Sequence, residues 1–141
     1  MMQTAEAGIF KPSRAAQASV VFMRFLAVLS LWSGLAYWLC LVGLEPGGIW
    51  RFDLMPIHWQ IAAVSLAVLY PFAAVGLWLP ASWGPVIWTL CAASEITMHA
   101  LYPHLFGDRE LLVIAHLGVL AALVALRVYL WLEVRRSRDA A

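Results

Sequence analysis

The stretch Trp83–Tyr102, WGPVIWTLCAASEITMHALY, decides how the chain is read. It is an apolar run of about 20 residues, the length that crosses a ~30 Å hydrocarbon layer at 1.5 Å per residue. A carboxylate, Glu95, stands near its middle, and His99 follows four residues later. At 3.6 residues per turn, Trp88, Cys91, Ala92, Glu95, His99 and Tyr102 fall on one face. An ionised carboxylate at mid-membrane costs roughly 2.5–3.5 kcal/mol on insertion scales. That face must therefore turn into the protein, where Glu95 either pairs or keeps its proton.

Working outward, three further runs match this one. Of 141 residues, 64% are hydrophobic and 12% charged, with a mean hydropathy of +0.83. Soluble domains carry about 25% charged residues, so a soluble core of this size is excluded. Apolar runs at 21–43, 58–79, 84–102 and 111–132 predict an all-α, integral membrane, antiparallel four-helix bundle. The implied division is a cytoplasmic tail (1–19), a transmembrane domain (20–134) and a second cytoplasmic tail (135–141). The first run follows Lys11, Arg14 and Arg24 but outlasts a signal-peptide core, and it ends in Gly43-Leu44-Glu45-Pro46 without a small-x-small site. It reads as a retained anchor. Residues 1–19, with Ile9, Phe10 and Pro12, read as a frayed or interfacial tail.

Each helix has internal signals. In helix 1, Ser30, Ser33, Gly34 and Tyr37 share the expected bundle face, and Arg24 can snorkel. Pro46, Gly47 and Gly48 break the chain, with Trp50 and Trp59 at interface depth. Asp53 is the expected N-cap of helix 2, with Pro56 in its first turn and His58, Ala62, Ser65 and Gly76 on its inner side. Pro71 frees the carbonyl of Ala67, which a neighbouring helix should satisfy. Ser82 and Asp108 are the expected caps of helices 3 and 4. Ala115, Gly118, Ala121, Ala122 and Ala125 form a stripe suited to close helix contact, with His116 and Arg127 opposite. Two such faces predict two sets of neighbours, as in a homo-oligomer or a larger membrane complex. Cys40 and Cys91 differ by about 10 Å in expected depth, too far for a disulfide.

Basic residues set the orientation. Lys11, Arg14, Arg24, Arg127, Arg135, Arg136 and Arg138 lie at the terminal side, against Arg51 and Arg109 in the other loops. Both termini are therefore expected in the cytoplasm of a bacterial inner membrane. All four histidines then fall in the outer half. His58 and His104 belong to the rim, while His99 and His116 flank one link at similar depth with Glu95 a turn deeper. Glu95, His99 and His116 form the candidate site. Two imidazoles and a carboxylate suit Zn²⁺ or Fe²⁺, paired histidines suit a haem, and Glu95 with His99 suits a quinone headgroup or a proton. The simpler reading is a structural polar cluster in which Glu95 and His99 bond each other and Ser or Tyr groups of helix 1 complete the network.

Arg51-Phe52-Asp53-Leu54, the Tyr70-Pro71 pair and Ser82-Trp83-Gly84-Pro85-Val86-Ile87-Trp88 resemble an uncharacterised alphaproteobacterial family of small four-helix inner-membrane proteins. The likeness covers about residues 20–135 and implies fold and location, with no activity. Arg24 ahead of Ser33-Gly34, and Gly76-Leu77-Trp78-Leu79, are more distantly similar to DoxX-like membrane proteins, some of which are linked to quinone or thiol redox. The carboxylate expected from that group in the middle of helix 2 is missing.

The chain offers no nucleophilic triad, phosphate loop or nucleic-acid-binding patch. Its partner is the lipid bilayer. Three functions follow: a non-enzymatic structural or accessory subunit; a redox-associated subunit binding quinone, haem or metal at Glu95, His99 and His116; and a proton-coupled small-molecule transporter. The last normally needs a carboxylate in helix 1, where this chain has none. The structural account expects any replacement of Glu95, Gln included, to destabilise the protein.

Overall fold

The computed structural model describes residues 14–44 and 52–139. The expectations for Ile9, Phe10, Pro12, Pro46, Gly47, Gly48, Trp50 and Arg51 lie outside the described residues. The described residues form helices, with no strand among them. Helix α1 spans Arg14–Val42 and α2 spans Ile57–Trp78, preceded by a single 3₁₀ turn at Phe52–Leu54. Helix α3 runs Gly84–Ile96 and continues as a π-helix over Thr97–Leu101. A short α4, Pro103–Phe106, leads to α5, Glu110–Asp139.

Three helices, α1, α2 and α5, are each long and apolar enough to cross a membrane. The third apolar run is helical from Gly84 to Leu101, 13 residues as α and the next five as π, and Tyr102 has already left the helix. The change of type at Thr97 explains one miss. Trp88, Cys91, Ala92, Glu95 and His99 are all buried on the expected face, whereas Tyr102 is exposed. Each π turn advances by more residues than an α turn, which rotates everything beyond it away from the α-helical register.

Helices α1 and α2 run antiparallel and pack most closely. Arg24 lies 5.6 Å over the Trp78 ring at one end, and Cys40 Sγ lies 3.9 Å from Met55 Sδ at the other. At the crossing, a Cβ on Gly34 would stand 2.8 Å from Pro71 Cδ, so the helices meet there only because position 34 has no side chain. The Ala67 carbonyl left free by Pro71 accepts a 2.9 Å bond from the Trp38 indole N–H of α1. Helices α2 and α3 form a second tight hairpin. A Cβ on Gly84 would lie 2.6 Å from Leu77 N and 2.7 Å from Gly76 O, both rigid backbone atoms.

The inner stripe of α2 is Ala63, Leu66, Ala67, Tyr70, Ala73, Ala74, Gly76 and Leu77. Gly76 is buried as expected, but Ser65 is exposed and bonds its own helix at Ile61 O. The expected caps differ as well. Pro56, not Asp53, occupies the N-cap of α2 with no side-chain cap bond, and the Gln60 amide donates to the carbonyls of Phe52 and Met55 at 2.9 and 3.0 Å. Trp83, not Ser82, occupies the N-cap of α3.

Helix α5 is held least. Only Leu123 is buried along its 30 residues, and Ala115, Gly118, Ala121, Ala122 and Ala125 are all exposed. The small-residue stripe therefore makes no close contact inside the chain; a Cβ on Gly118 would meet nothing within 4 Å.

Candidate functional site

Four helices each send one polar side chain to the same point: Tyr37 from α1, Tyr70 from α2, Glu95 from α3 and His116 from α5. The Tyr37 hydroxyl donates to Glu95 Oε1 at 2.7 Å. His116 Nε2 faces Glu95 Oε2 at 3.1 Å. The Tyr70 hydroxyl is 3.4 Å from His116 Nε2. Rings close the junction: Tyr37 stacks on Tyr70 at 6.1 Å between centroids, and Trp88 on His116 at 5.9 Å, each pair 15° from parallel.

The protons follow from donor–acceptor chemistry. His116 Nδ1 lies 2.8 Å from the Leu112 carbonyl, which only accepts, so Nδ1 bears a proton. In a neutral ring, Nε2 is then a lone pair aimed at a carboxyl oxygen. Two lone pairs do not sit 3.1 Å apart without a proton between them. Either a neutral Glu95 donates to a neutral His116, or an imidazolium donates to a carboxylate. Both arrangements carry no net charge, which is how the junction tolerates burial. Among the described residues no buried side-chain nitrogen or oxygen lacks a partner.

His99 does not bond Glu95, contrary to the simpler expectation. It is buried, with 4% of its surface exposed, but its Nδ1 takes the Gly107 carbonyl at 2.9 Å. The π turn that carries it and the reversal at Gly107 (φ +82°) bring that carbonyl within reach. Glu95 and His116 thus meet, and His99 stands beside them, facing another way. Among the described residues no three His, Cys, Asp or Glu side chains converge on one point as metal ligands. The metal reading of Glu95, His99 and His116 consequently has no geometry behind it. At the rim, His58 Nε2 lies 3.1 Å from Leu105 O and its ring meets Phe106 edge-on.

A cavity of about 350 Å³ lies beside the junction. Tyr37, Glu95, His99 and His116 form its polar side, with Arg109 from the α4–α5 link; Trp32, Trp59, Met55 and Leu112 form much of the rest. At the ~30 Å³ a water occupies in the liquid, it has room for about a dozen non-hydrogen atoms. The sequence did not single out Tyr70 or Arg109. Tyr70, a hydroxyl in the middle of an apolar run next to a proline, was the available signal.

Fold and site together define an all-helical chain with three helices able to cross a membrane and a proton-bridged polar junction between its helices. The chain belongs to the Family of unknown function (DUF6163), whose model matches residues 17–134. No curated protein and no solved structure matches it.

Proposed function

We propose that this chain is an integral protein of the bacterial inner membrane: an antiparallel four-helix bundle, both termini cytoplasmic, that serves as an accessory subunit of a membrane complex. The observation that carries this reading is the inverted distribution of polarity. The ionisable Glu95–His116 pair is inside, hydrogen-bonded to tyrosines of α1 and α2, while large apolar side chains such as Trp32, Ile57 and Leu111 are 74, 69 and 82% exposed. A water-soluble protein has the reverse need, since exposed apolar patches of this extent do not persist in water. The outward hydroxyls agree: Ser65, Thr89, Ser94 and Thr97 each bond a carbonyl of their own helix at 2.7–2.8 Å, which leaves nothing for lipid to solvate. In this reading 84–101 is the third crossing.

The accessory role draws on α5, whose uncovered Ala115–Gly118–Ala121–Ala122–Ala125 stripe suits close approach by another membrane helix. A photo-crosslinking residue at position 118, illuminated in native membranes, tests it. A crosslink to a different membrane protein is expected. Lipid-only adducts would overturn the accessory role, and a crosslink confined to a second copy would make the protein a homo-oligomer instead.

A further inference from the structure

We propose that the cavity beside the junction is a binding site for a small hydroxylated aromatic ring bearing an apolar tail, a phenol- or quinol-like molecule. His99 supplies the first observation. Its Nδ1–H is committed to the Gly107 carbonyl, so in the neutral ring its Nε2 is an acceptor. That nitrogen has no partner among the described residues, yet it is not sealed in, and the ring lines the cavity. A buried acceptor opening on an otherwise organised cavity asks for an O–H from whatever fills it. Arg109 supplies the second. It is an exposed residue that lines the same cavity, with no ion pair to a carboxylate among the described residues. A guanidinium only donates, so at the cavity it can offer an N–H to an oxygen lone pair. One ring hydroxyl answers both, donating to His99 Nε2 and accepting from Arg109.

Size and walls give the remainder of the molecule. Room for about a dozen non-hydrogen atoms admits one six-membered ring with its substituents. Trp32, Trp59 and Tyr37 offer aromatic surfaces to it. Trp32 both lines the cavity and is 74% exposed on the outside of α1, so the cavity reaches the apolar exterior there and a tail can leave along it. The Glu95–His116 pair carries no net charge and neither attracts nor repels the ring. A carboxylate headgroup suits Arg109 but has no proton for His99.

The test is calorimetric titration of the full chain in nanodiscs with 4-octylphenol, 4-octylanisole and octanoate, with empty nanodiscs subtracted. Saturable, equimolar binding of the phenol is expected, weakened about ten-fold when the hydroxyl is methylated. Ala36 lines the cavity, and Ala36→Phe places a ring at its wall; it should abolish binding while the protein stays folded by circular dichroism. His99→Phe should bind phenol and anisole alike. Absence of saturable binding, equal affinity for phenol and anisole in the native chain, tighter binding of octanoate, or unchanged binding by folded Ala36→Phe would each overturn the proposal.

Discussion

Replacing Glu95 with Ala removes the carboxyl that Tyr37 and His116 both bond. Two scales give different costs. Breaking a buried ion pair in a soluble protein costs about 3–5 kcal/mol. Hydrogen bonds between membrane helices average about 0.6 kcal/mol, because separated helices find other partners in the bilayer. The second applies here, since the junction has no net charge and the helices persist when apart. Two bonds then amount to about 1 kcal/mol. Glu95→Gln should cost under about 0.5 kcal/mol. Its amide carbonyl accepts from Tyr37, and its NH₂ donates to the lone pair of a neutral His116. That revises the sequence expectation that any replacement destabilises: Gln reproduces the bonding pattern, which only the positions of Tyr37 and His116 reveal. Unfolding by SDS in mixed micelles measures all three proteins. If Glu95→Ala is as stable as the native chain, or if Gln and Ala cost the same, the junction does not hold the helices together.

Other outcomes are equally specific. Trp38→Phe should cost about 0.6 kcal/mol in the native background and nearly nothing once Pro71→Ala restores an amide N–H for the Ala67 carbonyl; additive losses in this double-mutant cycle would refute the assigned bond. Gly84→Ala should lose about 1–3 kcal/mol, because its methyl group meets backbone of α2 that cannot move aside, and an unchanged SDS midpoint would show that the hairpin is looser than described. Gly118→Ala, with open space around it, should leave folding intact or stabilise α5 by up to about 1 kcal/mol. A marked loss there would mean that the small-residue stripe packs inside the chain.

Much of this arrangement is legible in the residues. One carboxylate in an apolar run fixes which face of α3 is inward, because no other face tolerates it, and Pro71 announces that a donor must come from next door. The errors share one cause. Sequence gives the azimuth of a residue on an ideal helix, and helices here depart from ideality or have more than one polar side. The π segment turned Tyr102 out and sent His99 to Gly107. On α2, polarity favoured Ser65 as an inner residue, but its hydroxyl is satisfied within its own helix, so packing decided the face and chose the alanines and Tyr70. Partners of Glu95 on other helices depend on relative depth to within a turn, which composition does not encode.

Helix α5 supplies His116 and is also the segment that the others grip least. Its outer surface is apolar along most of its length, and such a surface is indifferent to how the helix is turned or how far it is pushed along its axis. A slip of one residue shifts it about 1.5 Å and swings it by about 100°. Apolar packing hardly registers that error, but it carries the imidazole away from its carboxyl. The shared proton therefore works as an index mark. It gives a smooth rod one preferred setting among many near-equivalent ones, and it does so through a bond that each helix can complete only in the company of the other.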